Sequence, residues 1–261
     1  MRILLTNDDG IHAPGIYALY KTLVEIGDVF LIAPERPRSA AGHAITLHKP
    51  LRLTRVNLPG GVSGYGCSGT PSDCVTLGFD AILEGSCDLV VSGINAGANL
   101  GWDLTYSGTV AAAIEGAILR VPSMAISVTL ESGAETFDFG PAAQFAAQLA
   151  VKMVANPLPV NTLLNVNVPA VSAAEIKGVE ATHQGKREYI DRIDTREDPT
   201  GRPYYWLGGS LREDVPDPGS DVHAVLANRI SVTPVHLDMT AYSLLDRVHE
   251  WVSDGVTDPQ T

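Results

Sequence analysis

The chain has 261 residues, of which 45% are hydrophobic and 18% are charged. This balance is typical of a folded protein and supplies enough apolar material for one large domain, or for one domain with an appendage. The formal net charge is −12 and the sequence pI is about 4.9. Because such a surface repels polyanions, we expect no binding to nucleic-acid polymers or to a membrane. A small anionic substrate would need local neutralisation, which a bound metal ion can supply.

The cysteines and the first residues indicate the compartment. Cys67, Cys74 and Cys87 are odd in number and form no Cys-x-x-Cys pair, which favours free thiols in a reducing compartment. The opening MRILLTNDDG has an apolar run too short for a secretory signal and is typical of a buried strand. No uninterrupted apolar stretch reaches the roughly 18 residues that a membrane span needs. These features predict a cytoplasmic protein.

In the first two-thirds of the chain, strand-like segments alternate with segments of helical periodicity. This order predicts an α/β fold with a mostly parallel sheet and helices on both faces. Pro71 suits the first turn of a helix. The predicted strands are Arg2–Thr6, Val29–Ala33, Asp88–Ile94, Ser123–Val128 and Leu163–Val168, and the predicted helices are Gly15–Ile26, Pro71–Leu83, Gly108–Leu119 and Ala142–Val154.

The character of the chain changes after about Thr182. Residues 183–219 are richer in charge, Pro and Gly and contain the aromatic run Tyr204–Trp206, which indicates an extended β-hairpin arm rather than more of the sheet. Arg229–Pro234 is predicted to return as a strand, and Thr240–Trp251 to form a terminal helix.

This change suggests two units in the chain. We expect a catalytic core over residues 1–182 and a second unit over residues 183–261, which contains the arm, the returning strand and the C-terminal helix and serves oligomerisation. The aromatic run is better suited to packing against another subunit than to stacking on a base. A homodimer is the smallest assembly expected, and a homotetramer stays open.

Asp8 and Asp9 are the first candidates for chemistry. They follow the first predicted strand, and α/β folds bind their ligands at the carboxyl ends of parallel strands. Two carboxylates at one place disfavour joint ionisation unless a cation lies between them, and oxygen ligands favour Mg²⁺ or Mn²⁺. An ordinary solvated Asn-Asp-Asp-Gly turn is the alternative, because these residues also suit turns.

A glycine-rich loop follows the strand Asp88–Ile94. It reads SGINAGANLGWDLTYSGTVAAAIEG and ends in Ser107, Gly108 and Thr109, directly before a helix of small residues. The start of a helix attracts phosphate through its free amides and its dipole. Helix capping without a ligand is the alternative, although so long a loop is costly to order without a function. Asn95 lies one residue past the strand, where its amide oxygen can join Asp8 and Asp9 around a metal ion.

The loop after the second strand leaves the same edge of the sheet. Within ERPRSAAGH, Ser39 can offer a hydroxyl to a metal, and Arg36 or Arg38 can meet an anionic substrate. A plain turn residue is the alternative for Ser39. Cys74 is predicted to lie in the core rather than to act as a nucleophile.

Four strings in order resemble the survival protein E (SurE) family of 5'/3'-nucleotidases. They are TNDDG, ERPRSAAGHAITL, GTPSDCV and SGINAGANLGWDLTYSGTVAAAIEG, and the later HQGKREY and ISVTPVHLDMT resemble the arm and returning strand of that family. The similarity is colinear from about Arg2 to Thr240. Residues 51–66 and 190–220 match only loosely, so substrate preference and oligomer size are not carried over.

The resemblance implies a Rossmann-like core, an arm used in dimerisation and a metal-dependent phosphomonoesterase acting on nucleoside monophosphates. By position it implies that Asp8, Asp9, Ser39 and Asn95 hold one divalent ion, Mg²⁺ or Mn²⁺, in each subunit. It implies that Ser107, Gly108 and Thr109 bind the substrate phosphate.

The hypothesis for catalysis is attack on phosphorus by water activated at the metal, with Asp8, Asp9 and Asn95 as the catalytic residues. Covalent attack by one of the two aspartates stays open. A non-catalytic nucleotide-binding sensor is the main rival. Two adjacent carboxylates argue against it, because their negative charge would weaken the binding of a phosphate. An NAD-dependent oxidoreductase is a weaker rival, because no Gly-x-Gly-x-x-Gly follows the first strand.

Overall fold

The computed structural model describes residues 1–130, 137–190, 193–211 and 217–253. The strands of this part of the chain are β1 Arg2–Thr6, β2 Asp28–Pro34, β3 Leu53–Asn57, β4 Ser63–Cys67, β5 Leu89–Ala96, β6 Ser123–Thr129, β7 Thr162–Pro169, β8 Val179–Ala181, β9 Tyr189–Ile190, β10 Ile193–Glu197, β11 Pro203–Leu207, β12 Ser210–Leu211 and β13 Ile230–His236. The α-helices are α1 Pro14–Leu23, α2 Pro71–Leu77, α3 Gly108–Ile118, α4 Gly140–Ala155, α5 Asp221–Leu226 and α6 Leu245–Ser253.

A nine-stranded sheet in the order β3-β4-β2-β1-β5-β6-β7-β13-β8 forms the centre of the fold. The six strands from β4 to β7 pair in parallel, while β3 and β13 join antiparallel to their neighbours β4 and β7. Strands β1, β5, β6 and β7 are almost wholly buried, as parallel strands covered on both faces must be. The predicted mostly parallel α/β fold is therefore confirmed.

Helices cover both faces of the sheet. On one face α1 packs against α4, and on the other α2 packs against α3. The predicted first-turn role of Pro71 is confirmed, because it begins α2 directly after Thr70, whose side chain accepts the Asp73 N–H in a capping box. The helix predicted over Pro71–Leu83 changes at Gly78 from α to π geometry.

The chain reverses direction across the sheet next to β1. From β1 it runs through α1 to β2 on one side, and it later returns to place β5 on the other side of β1. The carboxyl ends of β1 and β5 thus form a topological switch point, where open α/β sheets bind their ligands. Asp8, Asp9 and Asn95 all lie at this point.

The predicted arm is an antiparallel hairpin of β10 and β11, and its base is closed by the pairing of β9 with β12. Every residue of β10 and β11 is exposed, including Tyr205 at 63% and Trp206 at 60%. The predicted returning strand is β13, and the predicted terminal helix is α6, which begins at Leu245 rather than at Thr240. No helix in these described ranges is both long and apolar enough to cross a membrane.

The sequence did not predict the elements β3, β4, α5 and β8. The β3–β4 hairpin extends the edge of the sheet beside β2, and the short helix α5 packs on β13 and β7. Strand β8 adds a parallel neighbour to β13. Glycines at alternate positions of β4 weaken its strand pattern, and Gly64 leaves no room for a side chain because an added Cβ would lie 2.8 Å from the Leu31 carbonyl oxygen.

Candidate active site

The turn after β1 is held by its own side chains. Asn7 Oδ1 accepts the Gly10 N–H at 3.1 Å, and Asn7 Nδ2 donates to the Gly10 carbonyl oxygen at 3.0 Å. Gly10 has a φ of 98°, which favours glycine. The side chains of Asp8 and Asp9 therefore leave a turn whose shape is fixed.

Asp8 is only 4% exposed and lies against the N-terminus of α3. The Thr109 hydroxyl donates to Asp8 Oδ1. A Cβ on Gly108 would lie 3.1 Å from Asp8 Oδ2, so a glycine is needed for this close approach. Burial raises the pKa of Asp8 to about 6, with a smaller contribution from the charge of Asp9, against the lowering effect of the Thr109 hydrogen bond.

Asp9 turns toward the end of β5. Its Oδ2 accepts the Ala96 N–H at 3.1 Å, and burial raises its pKa. The neighbouring Asn95 donates from Nδ2 to the Gly97 carbonyl oxygen at 2.8 Å. Because the amide nitrogen is used in this way, the side-chain oxygen of Asn95 keeps its capacity to accept or to ligate.

The loop after β2 is tied to the same place. Arg38 donates its N–H to the Asp8 carbonyl oxygen at 2.7 Å, and Gly42 donates to the Tyr106 carbonyl oxygen at 3.0 Å. Ser39 follows Arg38 directly and is exposed at this edge. The guanidinium of Arg38 donates to the Ser68 carbonyl oxygen at 3.2 Å, which occupies one of the two arginines considered for an anionic substrate.

The Ser107-Gly108-Thr109 turn begins α3. Ser107 is its N-cap, and its Oγ accepts the Val110 N–H at 3.1 Å. Ser107 and Thr109 are both buried. The Thr109 hydroxyl donates its proton to Asp8, whereas the Ser107 hydroxyl only accepts here and can donate its proton to a ligand.

A buried polar cluster, which we call the Asn99 anchor, holds the glycine-rich loop down on the sheet. Asn99 donates its N–H to Asn167 Oδ1 at 2.9 Å, and its carbonyl oxygen accepts Nδ2 of both Asn165 at 2.8 Å and Asn167 at 2.9 Å. The Asn99 side chain donates to Ser127 Oγ at 2.7 Å. Asn99, Ser127, Asn165 and Asn167 are all buried, so these hydrogen bonds replace the ones that the same groups would make to water in the unfolded chain.

Asp221 is a second anchor of the same loop. Its carboxylate accepts the N–H groups of Gly101, Gly185 and Val222, each at 2.8 Å. This carboxylate is fully buried and gathers the loop, the base of the arm and the start of α5 at one point.

A partly buried cluster of Asp103, Arg187 and Tyr189 also joins the loop to the base of the arm. Arg187 Nη1 lies 2.7 Å from Asp103 Oδ2, and the Tyr189 hydroxyl donates to the same oxygen at 2.5 Å. The base of the arm is therefore bonded to the loop that carries Ser107.

Sequence reasoning missed both anchors. One signal was present for the first, because Asn165 and Asn167 interrupt the apolar run LLNVNV of a buried strand. No signal marked Asp221, which reaches Gly101 from 120 residues along the chain. Cys74 is fully buried, as predicted, and burial raises the pKa of its thiol well above the ordinary range, which opposes a role as nucleophile.

The donor groups at the switch point are oxygens. Across the described residues, no three His, Cys, Asp or Glu side chains form a metal-binding group. The four predicted ligands are two carboxylates, from Asp8 and Asp9, and two neutral oxygens, from the amide of Asn95 and the hydroxyl of Ser39. Such a set suits a hard divalent ion rather than zinc.

Comparison with known proteins identifies the family of this chain. A profile of the family described as survival protein SurE matches residues 3–191. The chain is 52% identical over 252 residues to a protein named 5'-nucleotidase SurE from Symbiobacterium thermophilum, covering 95% of this chain and 97% of that protein. It is 49% identical over 254 residues to the protein of the same name from Moorella thermoacetica, covering 97% and 96%.

The fold agrees with a solved structure as well. The crystal structure of the SurE protein from Aquifex aeolicus superposes with a TM-score of 0.85 at 41% identity, covering 97% of this chain and 100% of that one. On the match of the profile, the relatives and the fold, this chain belongs to the SurE family.

Proposed function

We propose that this protein is a metal-dependent nucleotidase that hydrolyses nucleoside 5'-monophosphates to nucleoside and phosphate; 3'-monophosphates are the second class of ester to test. One observation carries the proposal: Asp8 and Asp9 lie side by side at the topological switch point, Asp8 against the N-terminus of α3 and Asp9 against the end of β5. Relatives named 5'-nucleotidase SurE that cover nearly the whole chain support the same reaction.

The site fits a divalent ion. Burial raises the pKa of both carboxyl groups, so keeping both ionised without a cation is costly. Asp8, Asp9, Asn95 and Ser39 would hold one Mg²⁺ or Mn²⁺ per subunit. When bound, the ion would neutralise charge on the phosphoryl oxygens and lower the pKa of a water molecule.

The chain's own residues divide the remaining work. Thr109 holds the Asp8 carboxylate in place through its hydroxyl. Ser107 and Gly108 would bind the phosphate, because the start of α3 presents amide N–H groups and a hydroxyl proton there. These donors would stabilise negative charge on the oxygens around phosphorus, where phosphoryl transfer needs it most.

The partners and the compartment belong to the same proposal. The exposed aromatic arm and the uncovered apolar residues of α6, such as Val248 and Trp251, would form the contacts of a homodimer or a homotetramer. The net charge of −12 opposes binding to nucleic-acid polymers. The three free cysteines favour a reducing compartment, and we place the protein in the cytoplasm.

The test is phosphate release from a panel of nucleoside 5'- and 3'-monophosphates. The protein is stripped with a chelator and then resupplied with Mg²⁺ or Mn²⁺. We expect activity to vanish on stripping and to return with the metal. Folded protein that releases no phosphate with either metal would contradict the proposal and favour a non-catalytic nucleotide sensor.

A further inference from the structure

The four predicted metal ligands differ in how firmly the fold holds them. The two aspartates leave a turn that is closed by its own hydrogen bonds, and Asn95 lies on β5. Helix α1 fixes β5 from outside, because Gly15 packs so closely on it that an added Cβ would lie 2.1 Å from the Ile94 carbonyl oxygen. Ser39, in contrast, lies in a loop between β2 and β3. The position of its hydroxyl is therefore set by the contacts of that loop.

We call residues 38–46 the Ser39 segment. Two of its residues have a left-handed backbone, with a φ of 55° at both Ala40 and Gly42. This conformation is easy for a glycine but unfavourable for an alanine, because the Cβ crowds the backbone. A loop keeps such a conformation where the surrounding structure enforces it.

Hydrogen bonds hold the Ser39 segment at both ends. At its start the Arg38 N–H donates to the Asp8 carbonyl oxygen at 2.7 Å. At its end the Thr46 N–H donates to Asp73 Oδ1 at 2.9 Å, in the first turn of α2. A third contact, made by the side chain of His43, lies between these two ends.

This middle contact joins the segment to α3. His43 Nε2 lies 2.7 Å from Glu115 Oε2, and because a carboxylate only accepts, the ring nitrogen is the donor. The Thr76 hydroxyl donates to the other carboxylate oxygen at 3.2 Å and so orients it. The Glu115 side chain is 14% exposed and the His43 side chain is 34% exposed. Both carboxylate oxygens of Glu115 are thus engaged by neighbouring elements.

Glu115 is an exception in its own helix. The sequence of α3 is GTVAAAIEGAI, and the glutamate is its only ionisable side chain. The helix packs on the sheet mostly through small residues, which does not call for a carboxylate. At its first residue, Gly108, the same helix lies against the side chain of Asp8. Glu115 therefore links the Ser39 segment to the helix that contacts the first predicted ligand.

We propose that Glu115 and His43 are positioning residues for Ser39. The contact between them holds the Ser39 segment on α3, so that the Ser39 hydroxyl reaches the divalent ion at Asp8 and Asp9. This rests on the proposed function for the presence of that ion, and in this role neither residue binds the metal itself. A partly exposed pair of this kind adds little to global stability. Weaker metal binding in a protein of unchanged stability is therefore the expected sign of the role.

The test is a double-mutant cycle on metal binding, which is independent of turnover. Mn²⁺ is titrated into chelator-stripped protein, and the free ion is measured by electron paramagnetic resonance. We expect His43→Ala and Glu115→Ala each to raise the Kd about tenfold, as Ser39→Ala does. In a protein that already carries Ser39→Ala, His43→Ala should raise the Kd no further, because its effect passes through Ser39.

Two further variants separate positioning from a general loss of structure. His43→Gln keeps an N–H donor near the place of Nε2, so its Kd should stay within about threefold of wild type. His183→Ala removes a similar contact near the base of the arm, from His183 Nε2 to Asp217 Oδ1 at 3.1 Å, and should leave the Kd unchanged. The urea midpoint of every variant should stay near that of wild type.

Two other measurements follow the segment and the chemistry separately. Hydrogen exchange measured by mass spectrometry should be faster over residues 38–46 in His43→Ala and unchanged over the strands of the sheet. In phosphate release from adenosine 5'-monophosphate, the Mn²⁺ concentration for half-maximal activity should rise about tenfold in this variant. The value of kcat at saturating Mn²⁺ should fall less than about threefold.

The outcomes distinguish this inference from the proposed function. If His43→Ala leaves the Kd unchanged, or raises it equally with and without Ser39→Ala, the pair does not position Ser39, whatever the wild type cleaves. If His43→Gln binds as weakly as His43→Ala, or His183→Ala weakens binding as much, the inference is also wrong. If wild type binds Mn²⁺ and the cycle behaves as expected but no nucleotide is cleaved, the proposed function fails while the positioning role stands. If wild type binds no Mn²⁺, both fail.

Discussion

The loops at the carboxyl edge of the sheet and the hairpin arm both leave the regular core, but they are held in opposite ways. The loops have irregular backbone that buried polar side chains fix in place, as in the Asn99 anchor and at Asp221. The arm has regular β-pairing, and every residue of its long strands is exposed.

Side chains therefore have different functions in the two regions: they fix the backbone of the loops, and on the arm they form an exposed surface. In the site loops, apolar packing alone cannot choose one backbone shape, so directional hydrogen bonds from buried side chains do so. In the arm, the backbone groups of β10 and β11 are paired with each other, and the exposed side chains are available for contact with another subunit. Substitutions in the first region should therefore change chemistry, and those in the second should change assembly.

The largest effect is expected at Asp8. Asp8→Asn keeps the shape of the side chain and removes a charge from the proposed metal site, so kcat/KM should fall by at least about a thousandfold, or about 4 kcal/mol. The measurement is phosphate release at saturating metal, with circular dichroism to show that the fold is intact. Activity near that of wild type would remove Asp8 from the proposed ligands.

The same variant should gain stability in the metal-free state. Because burial raises the pKa of Asp8 from 3.8 to about 6, the ionised carboxylate costs the folded state about 3 kcal/mol above pH 6. Below pH 4 Asp8 is protonated in both states and the folded protein avoids this cost. The cost appears, and stability falls, as the pH rises through 6. Urea unfolding at pH 8 should therefore show Asp8→Asn as the more stable protein, and the advantage should disappear at low pH.

Asp73 supplies a control of opposite sign. Burial acts to raise its pKa, but hydrogen bonds from Thr46 and Thr70 outweigh burial and lower it. Asp73→Asn should therefore lose stability at pH 8, and the loss should shrink as the pH falls. If both variants move in the same direction, the charge of Asp8 is not the cause.

The Asn99 anchor should give a smaller and mixed effect. Asn167→Ala leaves the Asn99 N–H and carbonyl oxygen with fewer partners in a buried place, which should cost about 1–3 kcal/mol of unfolding free energy. Because the loop leads to Ser107, kcat/KM should fall as well, by about tenfold.

The matched variant is Thr233→Val, in a buried cluster of hydroxyls with Thr182 and Ser231 that lies on β13 and beside it. It should lower stability by a similar amount and leave kcat/KM unchanged. Equal losses of activity in the two variants would mean that the anchor acts only through global stability.

The smallest effect on the fold is expected in the arm. Replacing Tyr205 and Trp206 with Ser should change the unfolding free energy of the subunit by less than about 0.5 kcal/mol, because both side chains are exposed. Light scattering after size exclusion should show a smaller assembly. An unchanged mass would remove these two side chains from the proposed interface.

The sequence predicted the elements whose signals are local. Strand and helix periodicity located β1, β5 and α3, and the change in composition located the arm. The rule that ligands bind at the carboxyl ends of parallel strands predicted that Asp8, Asp9 and Asn95 lie close together. The β3–β4 hairpin was missed because alternate glycines hide its pattern. The bond from Thr109 to Asp8 and the reach of Asp221 to Gly101 depend on tertiary packing, which local periodicity does not encode.

The close packing of Gly15 against Ile94 also restricts how substrate preference can change during evolution. Any larger residue at position 15 would push α1 away from the strand that carries Asn95. Glu35, Pro37 and Phe139 line a cavity beside Asp9 and take no part in the packing of Gly15 on Ile94, so we expect new specificity to arise there at a lower cost to the fold. A library that randomises these three positions and leaves residues 7–15 intact is the rational starting point for redirecting the enzyme to other phosphate esters.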